Sequence, residues 1–139
     1  MEKGIKAGII KETSKNLEYY GNFLTSAQEI KTAVGPLQKA ADKADKGEPA
    51  ARLANVYISL DRFAEAEAAA KMAIKKGDLR NEANTLLVLG QAQFYQQDFK
   101  EAKKSFRDAA KDKKTKKFAD QWIKYLDSEV ERIAKMNEE

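Results

Sequence analysis

Arginine and asparagine side chains at helical spacing carry the ligand-binding chemistry that this sequence suggests. Arg52 lies one helical turn before Asn55, so the two side chains could hold a carboxylate together. Asn22 occupies the place that matches Asn55, 33 residues earlier in the chain. Because an asparagine amide can bond both the donor and the acceptor of a peptide backbone, these residues indicate a surface that binds peptide. The alternative is that they are ordinary solvated positions on surface helices.

Catalytic groups are scarce by comparison. None of the 139 residues is His or Cys, which excludes imidazole bases, Cys nucleophiles, Ser-His-Asp triads and zinc sites with N or S ligands. Asp42, Asp45 and Glu48 surround Gly47 but lack the alternation of a calcium loop, so we interpret them as helix-end and turn acids. The sequence therefore predicts that the chain is not an enzyme and holds no cofactor and no metal.

The overall composition favours helix along almost the whole chain. Only two Pro and seven Gly occur, while 35% of the residues are charged. The 26 Lys and Arg residues outnumber the 22 Asp and Glu residues, which gives a net charge of +4. No stretch approaches the roughly 18 apolar residues that a membrane span needs. We therefore expect an all-α protein without a membrane span.

A repeating pattern of large and small residues organises the middle of the chain. The pattern recurs after 36 residues, and a weaker copy lies 33 residues upstream. In each copy a first helix carries a large residue followed by a small one: Tyr20-Gly21, Leu53-Ala54 and Leu89-Gly90. A second helix carries two alanines with a filler between them: Ala33, Leu37 and Ala40; Ala66, Ala70 and Ala73; Ala102, Phe106 and Ala109. Small residues let helices approach and fillers occupy the groove, so the pattern predicts stacked helical hairpins.

This pattern resembles the tetratricopeptide repeat (TPR) family, whose second helix opens with A-x-x-x-F-x-x-A. The closest matches are N-V-Y at 55–57 and A-K-K-S-F-R-D-A at 102–109. Departures are Leu17, Ala50 and Leu86 at the opening aromatic position, Leu24 and Gln93 at the tyrosine position, and the missing closing proline. The resemblance implies a right-handed α-solenoid of three TPR helical hairpins with a C-terminal capping helix. It also implies a non-enzymatic scaffold that binds a protein or peptide partner in a concave groove.

The spacing of the repeats predicts helices at 14–27, 31–45, 48–60, 63–76, 83–96 and 99–112. These pair into repeats at 14–47, 48–82 and 83–114. Gly47 and Gly77 follow second helices and are expected to close them. Asp61 and Asp98 lie at the turns inside hairpins, where we expect them to cap the helices that follow.

The two ends of the array differ. Residues 115–139 are predicted to form the capping helix, whose packing stripe is Phe118, Trp122, Tyr125, Leu126, Val130 and Ile133. Residues 1–13 resemble the tail of a repeat helix whose first partner is missing, with Ile5, Ile9 and Ile10 left uncovered. We expect either that the chain is a fragment of a larger TPR protein or that a partner or second copy covers this end by self-association.

Two short segments bear on the cellular compartment. K-G-I-K-A-G-I-I at 3–10 and Q-W-I-K-Y at 121–125 look like the C-terminal part of bacterial periplasmic TPR proteins that accompany TonB-type systems. That resemblance implies a periplasmic protein, and a cytoplasmic location is the alternative. The N-terminus has no long apolar region of a secretory signal.

The first helices of such an array line its groove, which predicts a set of ligand-binding residues. They are Lys15, Tyr19, Asn22, Arg52, Asn55, Ser59, Gln91 and Tyr95. TPR domains that grip chaperone C-termini use a two-carboxylate clamp, but Glu18 stands where that clamp has a lysine. We therefore expect a different peptide or protein partner. Tyr95, with Phe94 and Val88, is expected either to anchor that ligand or to pack under the capping helix.

A basic segment offers an alternative function. Residues 100–117 include nine basic and three acidic residues, a local excess of +6. Such a surface could bind nucleic acid. Asp108 and Asp112 interrupt the positive field, however, and no aromatic stacking pattern accompanies it. We therefore interpret the segment as a solvated convex face, and nucleic acid is not the expected partner.

Overall fold

Six helices make up the part of the chain that the structure describes. The computed structural model describes residues 30–138, with side chains from Thr32 onward. The helices are α1 (Ile30–Lys43), α2 (Glu48–Ser59), α3 (Phe63–Lys76), α4 (Glu82–Tyr95), α5 (Phe99–Ala109) and α6 (Lys113–Glu138). Every helix predicted within this range begins and ends within three residues of an observed one. The predicted tail at 1–13, the helix at 14–27 and the Tyr20-Gly21 pair lie outside the described residues.

The chain divides into two compact units between Arg80 and Asn81. In the described part of the first unit, α2 packs against both α1 and α3. In the second unit, α5 packs against α4 and α6, and α6 also contacts α4. The repeat ranges drawn from the sequence (14–47, 48–82 and 83–114) stay a prediction.

Alanines form the contact surfaces within both units, as the repeat pattern predicts. Ala and filler positions of all three second helices are completely buried: Ala33, Leu37, Ala40, Ala66, Ala70, Ala73, Ala102, Phe106 and Ala109. Alanine is a strong helix former whose short side chain lets two helix backbones come close. The predicted packing stripes of α1, α3 and α5 are therefore confirmed.

The large–small pairs of the two first helices that the structure describes also behave as predicted. Leu53 and Ala54 are fully buried in α2, and Leu89-Gly90 is buried in α4. A Cβ atom on Gly90 would lie 2.5 Å from Cε1 of Phe106, closer than two carbon atoms can pack. The small residue of α4 thus creates the space that the large filler of α5 occupies.

The turns inside the two hairpins share one backbone conformation. Asp61 and Gln97, 36 residues apart, both have left-handed φ angles, of 58° and 65°. Equivalent hydrogen bonds close the two turns: the Arg62 amide donates to the Tyr57 carbonyl at 2.9 Å, and Asp98 donates to Gln93 at 2.9 Å. The repeat therefore extends to backbone geometry that the side-chain pattern did not include.

The expectation that aspartates cap the second helices is wrong. Asp61 lies one residue before Arg62, the N-cap of α3, and occupies the left-handed turn position. Asp98 is the N-cap residue of α5, yet its side chain makes no capping hydrogen bond. Backbone hydrogen bonds close both turns instead, since the Arg62 amide donates to the Tyr57 carbonyl and the Asp98 amide to the Gln93 carbonyl.

Two glycines join the end of α1 to the end of α3. Gly77 is the C-cap of α3 with φ of 76°, a conformation that favours glycine, so its predicted role in ending α3 is confirmed. Gly47 instead begins α2 as its N-cap, and its amide donates to the Gly77 carbonyl at 2.8 Å. A Cβ atom on Gly47 would collide with the backbone carbonyl of Ala73. Gly47 is therefore required for close packing of the turn.

A lysine side chain caps the end of α1. The Lys76 ammonium donates to the carbonyl of Ala41 at 2.6 Å and to that of Ala44 at 2.7 Å. The last carbonyls of a helix lack intrahelical partners and carry partial negative charge, so an ammonium stabilises them. Lys76 thus ties the last turn of α3 to the last turn of α1.

The capping helix is present, but its predicted packing stripe is partly wrong. Thr115, Ala119 and Leu126 are its buried residues. Phe118 is 55% exposed, Tyr125 51% and Val130 42%. The space beneath α6 is filled by Leu126, small residues and Trp122, whose ring stacks on Phe106 at 5.5 Å, so Phe118, Tyr125 and Val130 stay at least partly exposed.

Candidate peptide-binding site

A polar stripe runs along the exposed side of α2. Its members are Glu48, Arg52, Asn55 and Ser59, spaced so that they share one side of the helix. The opposite side is buried through residues such as Leu53, Ala54 and Tyr57. The requirement that α2 bury an apolar stripe therefore fixes the direction in which these polar groups point. We call this set the α2 stripe.

The amide and hydroxyl of the α2 stripe are held by their own helix. Asn55 Nδ2 donates to the Ala51 carbonyl at 3.2 Å, and Ser59 Oγ donates to the Asn55 carbonyl at 3.1 Å. The first bond uses only the Nδ2 group of the amide. The Oδ1 atom of Asn55, an exposed residue, can therefore accept a bond from a peptide N–H.

Two arginines meet at the start of the α2 stripe. Burial lowers the pKa of Arg52, and the positive charge of nearby Arg80 lowers this pKa further. The Arg80 amide donates to Glu48 Oε2 at 3.1 Å, which holds residue 80 beside the first turn of α2. Guanidinium groups bind carboxylates through charge-assisted hydrogen bonds. The pair can bind a carboxylate.

Tyr57 lies on the buried side of α2 and serves packing. Its hydroxyl donates to Gln38 Oε1 at 3.0 Å, and Gln38 Nε2 donates to Asp42 Oδ1 at 3.0 Å. The Arg62 guanidinium lies over the ring, 5.5 Å from its centroid. Burial, followed by nearby carboxylates, raises the pKa of Tyr57. This network links α2 to α1 and is separate from the α2 stripe.

Two of the predicted ligand-binding residues, Gln91 and Tyr95, lie on α4 in the second unit. Gln91 is half-buried and Tyr95 is 49% exposed. Phe94 is buried and lies 5.6 Å from Trp122 and 5.2 Å from Tyr125, measured between ring centroids. Of the two readings left open by the sequence, packing under the capping helix is therefore the one that holds for Phe94. Val88 is buried as well.

The remaining predicted site residues fall in two groups. Lys15, Tyr19 and Asn22 lie outside the described residues. Arg52, Asn55 and Ser59 share one side of α2, as the sequence predicts. Sequence reasoning missed Arg80, because it lies in the loop between α3 and α4, where no repeat position marks it.

The basic segment at 100–117 is exposed but partly neutralised. Its lysines make ion pairs at 2.9 to 3.3 Å: Lys103 with Asp127, Lys111 with Asp108, and Lys116 with Asp120. The exposed cations on α5 are Lys100, Lys104 and Arg107. Acidic partners thus interrupt this surface, which agrees with its interpretation as a solvated face.

Residues 30–138 offer neither a metal-binding cluster nor a membrane-spanning helix. No group of acidic residues there is arranged to hold a metal ion. None of the six helices combines the length and apolar character needed to cross a membrane.

Comparison with known proteins identifies the fold. No protein-family model and no curated protein matches the chain. Among solved structures, the first TPR domain of Spaghetti (RPAP3) bound to the HSP90 peptide SRMEEVD is similar, with a TM-score of 0.76 and 20% identity over 87% of this chain and 95% of that one. The Arabidopsis OM64 TPR domain has a TM-score of 0.72 and 22% identity, covering 81% and 93% of the two chains. The Sgt2 TPR domain from Aspergillus fumigatus has a TM-score of 0.73 and 18% identity, covering 88% and 82%.

These similarities define the class of protein. The chain has the all-α helical-repeat fold of TPR domains, as the repeat pattern predicts. Sequence identities of about 20% show a shared fold, and the binding chemistry of this chain depends on its own residues.

Proposed function

We propose that this chain is a non-enzymatic member of the TPR family that binds a carboxylate-bearing segment of a partner protein at the α2 stripe. The observation that carries the proposal is the closeness of Arg52 and Arg80, two positively charged residues on the exposed side of α2. Two guanidinium groups beside the exposed amide of Asn55 suit a peptide carboxylate and its neighbouring backbone. The peptide bound by the similar Spaghetti domain has three acidic residues among its seven, which supports an acidic ligand.

Each group of the site has a defined part in binding. Arg52 and Arg80 donate charge-assisted hydrogen bonds to the carboxylate and neutralise it. Asn55 Oδ1 accepts a backbone N–H of the peptide, and Ser59 extends the polar surface by one turn. Lys15, Tyr19, Asn22, Gln91 and Tyr95 stay predicted ligand contacts.

A binding titration tests the proposal. The probe is a fluorescein-labelled peptide of about ten residues built from Gly, Ser and Glu with a free C-terminus, long enough for one extended recognition segment. The control peptide replaces Glu by Gln and carries an amidated C-terminus. We expect Arg52→Ala and Arg80→Ala each to raise the Kd at least about tenfold, because a hydrogen bond to a charged group contributes about 1.5–3 kcal/mol. Asn55→Ala is expected to raise it about threefold.

A matched substitution separates the site from general charge. Arg107→Ala removes an exposed arginine of α5 and is expected to leave the Kd unchanged. Equal weakening by Arg107→Ala and Arg80→Ala would contradict the proposal, as would equal binding of the amidated Gln peptide. Because Arg80 is exposed, its variant retains the fold and keeps the test decisive even where Arg52→Ala lowers stability.

Nucleic-acid binding through the surface at 100–117 is the second candidate. Exposed Lys100, Lys104 and Arg107 favour it. Phosphate contacts release counterions, so affinity for a single-stranded oligonucleotide would fall steeply between about 50 and 200 mM salt. Binding that falls steeply with salt and is lost in Lys100→Glu/Lys104→Glu would favour this candidate over the α2 stripe.

We also propose a periplasmic setting alongside a TonB-type system. Its support is the resemblance of the segment from Gln121 to Tyr125. Sequencing the genes beside this one tests it, because a TonB-type operon is the expected neighbourhood. Neighbouring genes for cytoplasmic machinery would contradict the periplasmic setting and leave the α2 stripe proposal untouched.

A further inference from the structure

An aromatic stripe lies along one edge of the contact between α6 and the α4–α5 hairpin. Its members are Phe118, Trp122 and Tyr125, at the spacing of successive helical turns. Phe118 and Tyr125 are each about half exposed, and Trp122 lies between them. Exposed aromatic side chains grouped in this way are typical of interaction surfaces, whereas single exposed ones are ordinary. We call this set the α6 aromatic stripe.

Aromatic residues of α4 and α5 hold the Trp122 and Tyr125 rings of the α6 aromatic stripe in place. Trp122 stacks on Phe106 at 5.5 Å and meets the edge of the Tyr95 ring at 6.2 Å. Tyr125 lies 5.2 Å from Phe94 and 6.1 Å from Trp122. Rings that are already immobilised lose little conformational entropy when a ligand covers their outer faces. The stripe is therefore preorganised for binding.

The charge beside the stripe is positive. Lys114, Lys117 and Lys124 are exposed on the outer side of α6, and within residues 32–138 none of them makes an ion pair. The two acids of this stretch are engaged, since Asp120 pairs with Lys116 and Asp127 with Lys103, each at 2.9 Å. A ligand bound to the aromatic rings would therefore lie next to three positively charged lysines.

We propose that the α6 aromatic stripe docks an acidic amphipathic helix of a partner protein. Apolar side chains at i, i+4 and i+7 of that helix would cover the rings, and its flanking carboxylates would face the three lysines. This surface is separate from the α2 stripe and stands without it.

The single tryptophan of the chain provides a local reporter. The probe is an amphipathic peptide of about 18 residues with Leu at i, i+4 and i+7, Glu on its flanks and Ala elsewhere. Matched peptides carry Lys in place of Glu, or Ser in place of Leu. Binding is followed by Trp122 fluorescence and, independently, by anisotropy of a fluorescein label on the peptide.

Two groups of variants give the decisive comparison. We expect Lys114→Glu/Lys117→Glu/Lys124→Glu to raise the Kd at least about tenfold and Phe118→Ala about fivefold. Lys100→Glu/Lys104→Glu/Arg107→Glu makes the same charge change on α5 and is expected to raise it less than about threefold. All these positions are exposed, so the variants retain the fold, which circular dichroism verifies.

The contrary results are equally specific. Absence of binding by the acidic peptide, equal binding by the Lys peptide, or equal loss in the α5 triple variant would each overturn the proposal. Tighter binding of a single-stranded oligonucleotide at the same residues would overturn it in favour of nucleic acid. Loss of α2-stripe binding in Arg80→Ala has no bearing on these outcomes, so the two proposals fail separately.

Discussion

At the scale of single residues, side-chain volume at two facing positions determines how closely the helices of a hairpin pack. In the first unit both positions hold alanine, Ala54 and Ala70, and both are fully buried. In the second unit Gly90 in α4 faces the ring of Phe106 in α5. The two hairpins therefore accommodate different residues at equivalent repeat positions, with a smaller residue on one helix where the other helix carries a larger one.

Gly90→Ala should destabilise the second unit. Its new Cβ atom would lie 2.5 Å from Cε1 of Phe106, and the ring has little room to move because Trp122 stacks on it. Overpacking of this kind costs about 1–3 kcal/mol, partly offset by the better helix propensity of alanine. We expect a net loss of about 1–2 kcal/mol in the free energy of unfolding, measured by urea denaturation.

Gly35→Ala is the matched control with the opposite sign. Gly35 lies inside α1, and a Cβ atom there would have no heavy atom of the described residues within 4 Å. Alanine should therefore stabilise the helix by about 0.5–1 kcal/mol. A loss of stability in both variants, or in neither, would show that packing against Phe106 does not distinguish the two glycines.

Residue patterns predicted the buried alanines but could not predict every functional group. The alanines recur because each occupies the same contact, so a single sequence reveals them. Arg80 approaches Arg52 only through the fold of the loop before α4, and Asp61 adopts a left-handed conformation that its residue type does not require. Such features depend on backbone paths outside the helices, where the hydrophobic period carries no information.

At the scale of helices, a single lysine connects the ends of α1 and α3. Lys76→Met should remove the hydrogen bonds to the carbonyls of Ala41 and Ala44 while keeping an apolar stem of similar length. Leaving these part-buried carbonyls without a partner costs about 1–3 kcal/mol. We expect native-state hydrogen exchange of the last turn of α1 to accelerate, with α2 less affected.

Lys75→Met is the control for Lys76→Met. Lys75 is the exposed neighbour in the same last turn of α3, so its removal makes the same change in net charge. Unchanged exchange in Lys75→Met and faster exchange in Lys76→Met is the expected pair of results. Similar rates in both variants would rule out a specific cap at the end of α1.

For the capping helix α6, sequence patterns predict the position of the helix but not which of its residues are buried. Periodicity correctly places α6 and its contact with the α4–α5 hairpin, but assigns Phe118, Tyr125 and Val130 to the buried stripe. Apolar spacing alone predicts that the largest side chains of α6 are the buried ones. The space that Phe106 leaves beneath α6 instead accepts Ala119 and Thr115. The choice depends on volume that other helices have already filled, which no local pattern records.

At the scale of the whole molecule, the chain is an all-α protein with the fold of TPR domains. Helices bury their alanine-rich sides, so polar and aromatic groups are left on the outer sides of α2 and α6. We propose that the α2 stripe binds a carboxylate and that the α6 aromatic stripe docks an acidic amphipathic helix. The repeat pattern predicted the fold and three of the four residues of the α2 stripe, Arg52, Asn55 and Ser59, from their spacing. The aromatic stripe became visible only with the observed burial.

The most direct test of the account is a map of backbone amide chemical shifts by NMR as the Gly/Ser/Glu peptide is added, at about 50 and 200 mM salt. We predict that the largest changes occur at Arg52, Asn55, Ser59 and Arg80 at both salt concentrations, and that they disappear in Arg80→Ala. Changes confined to residues 100–117 that vanish at the higher salt concentration would contradict a peptide site on α2.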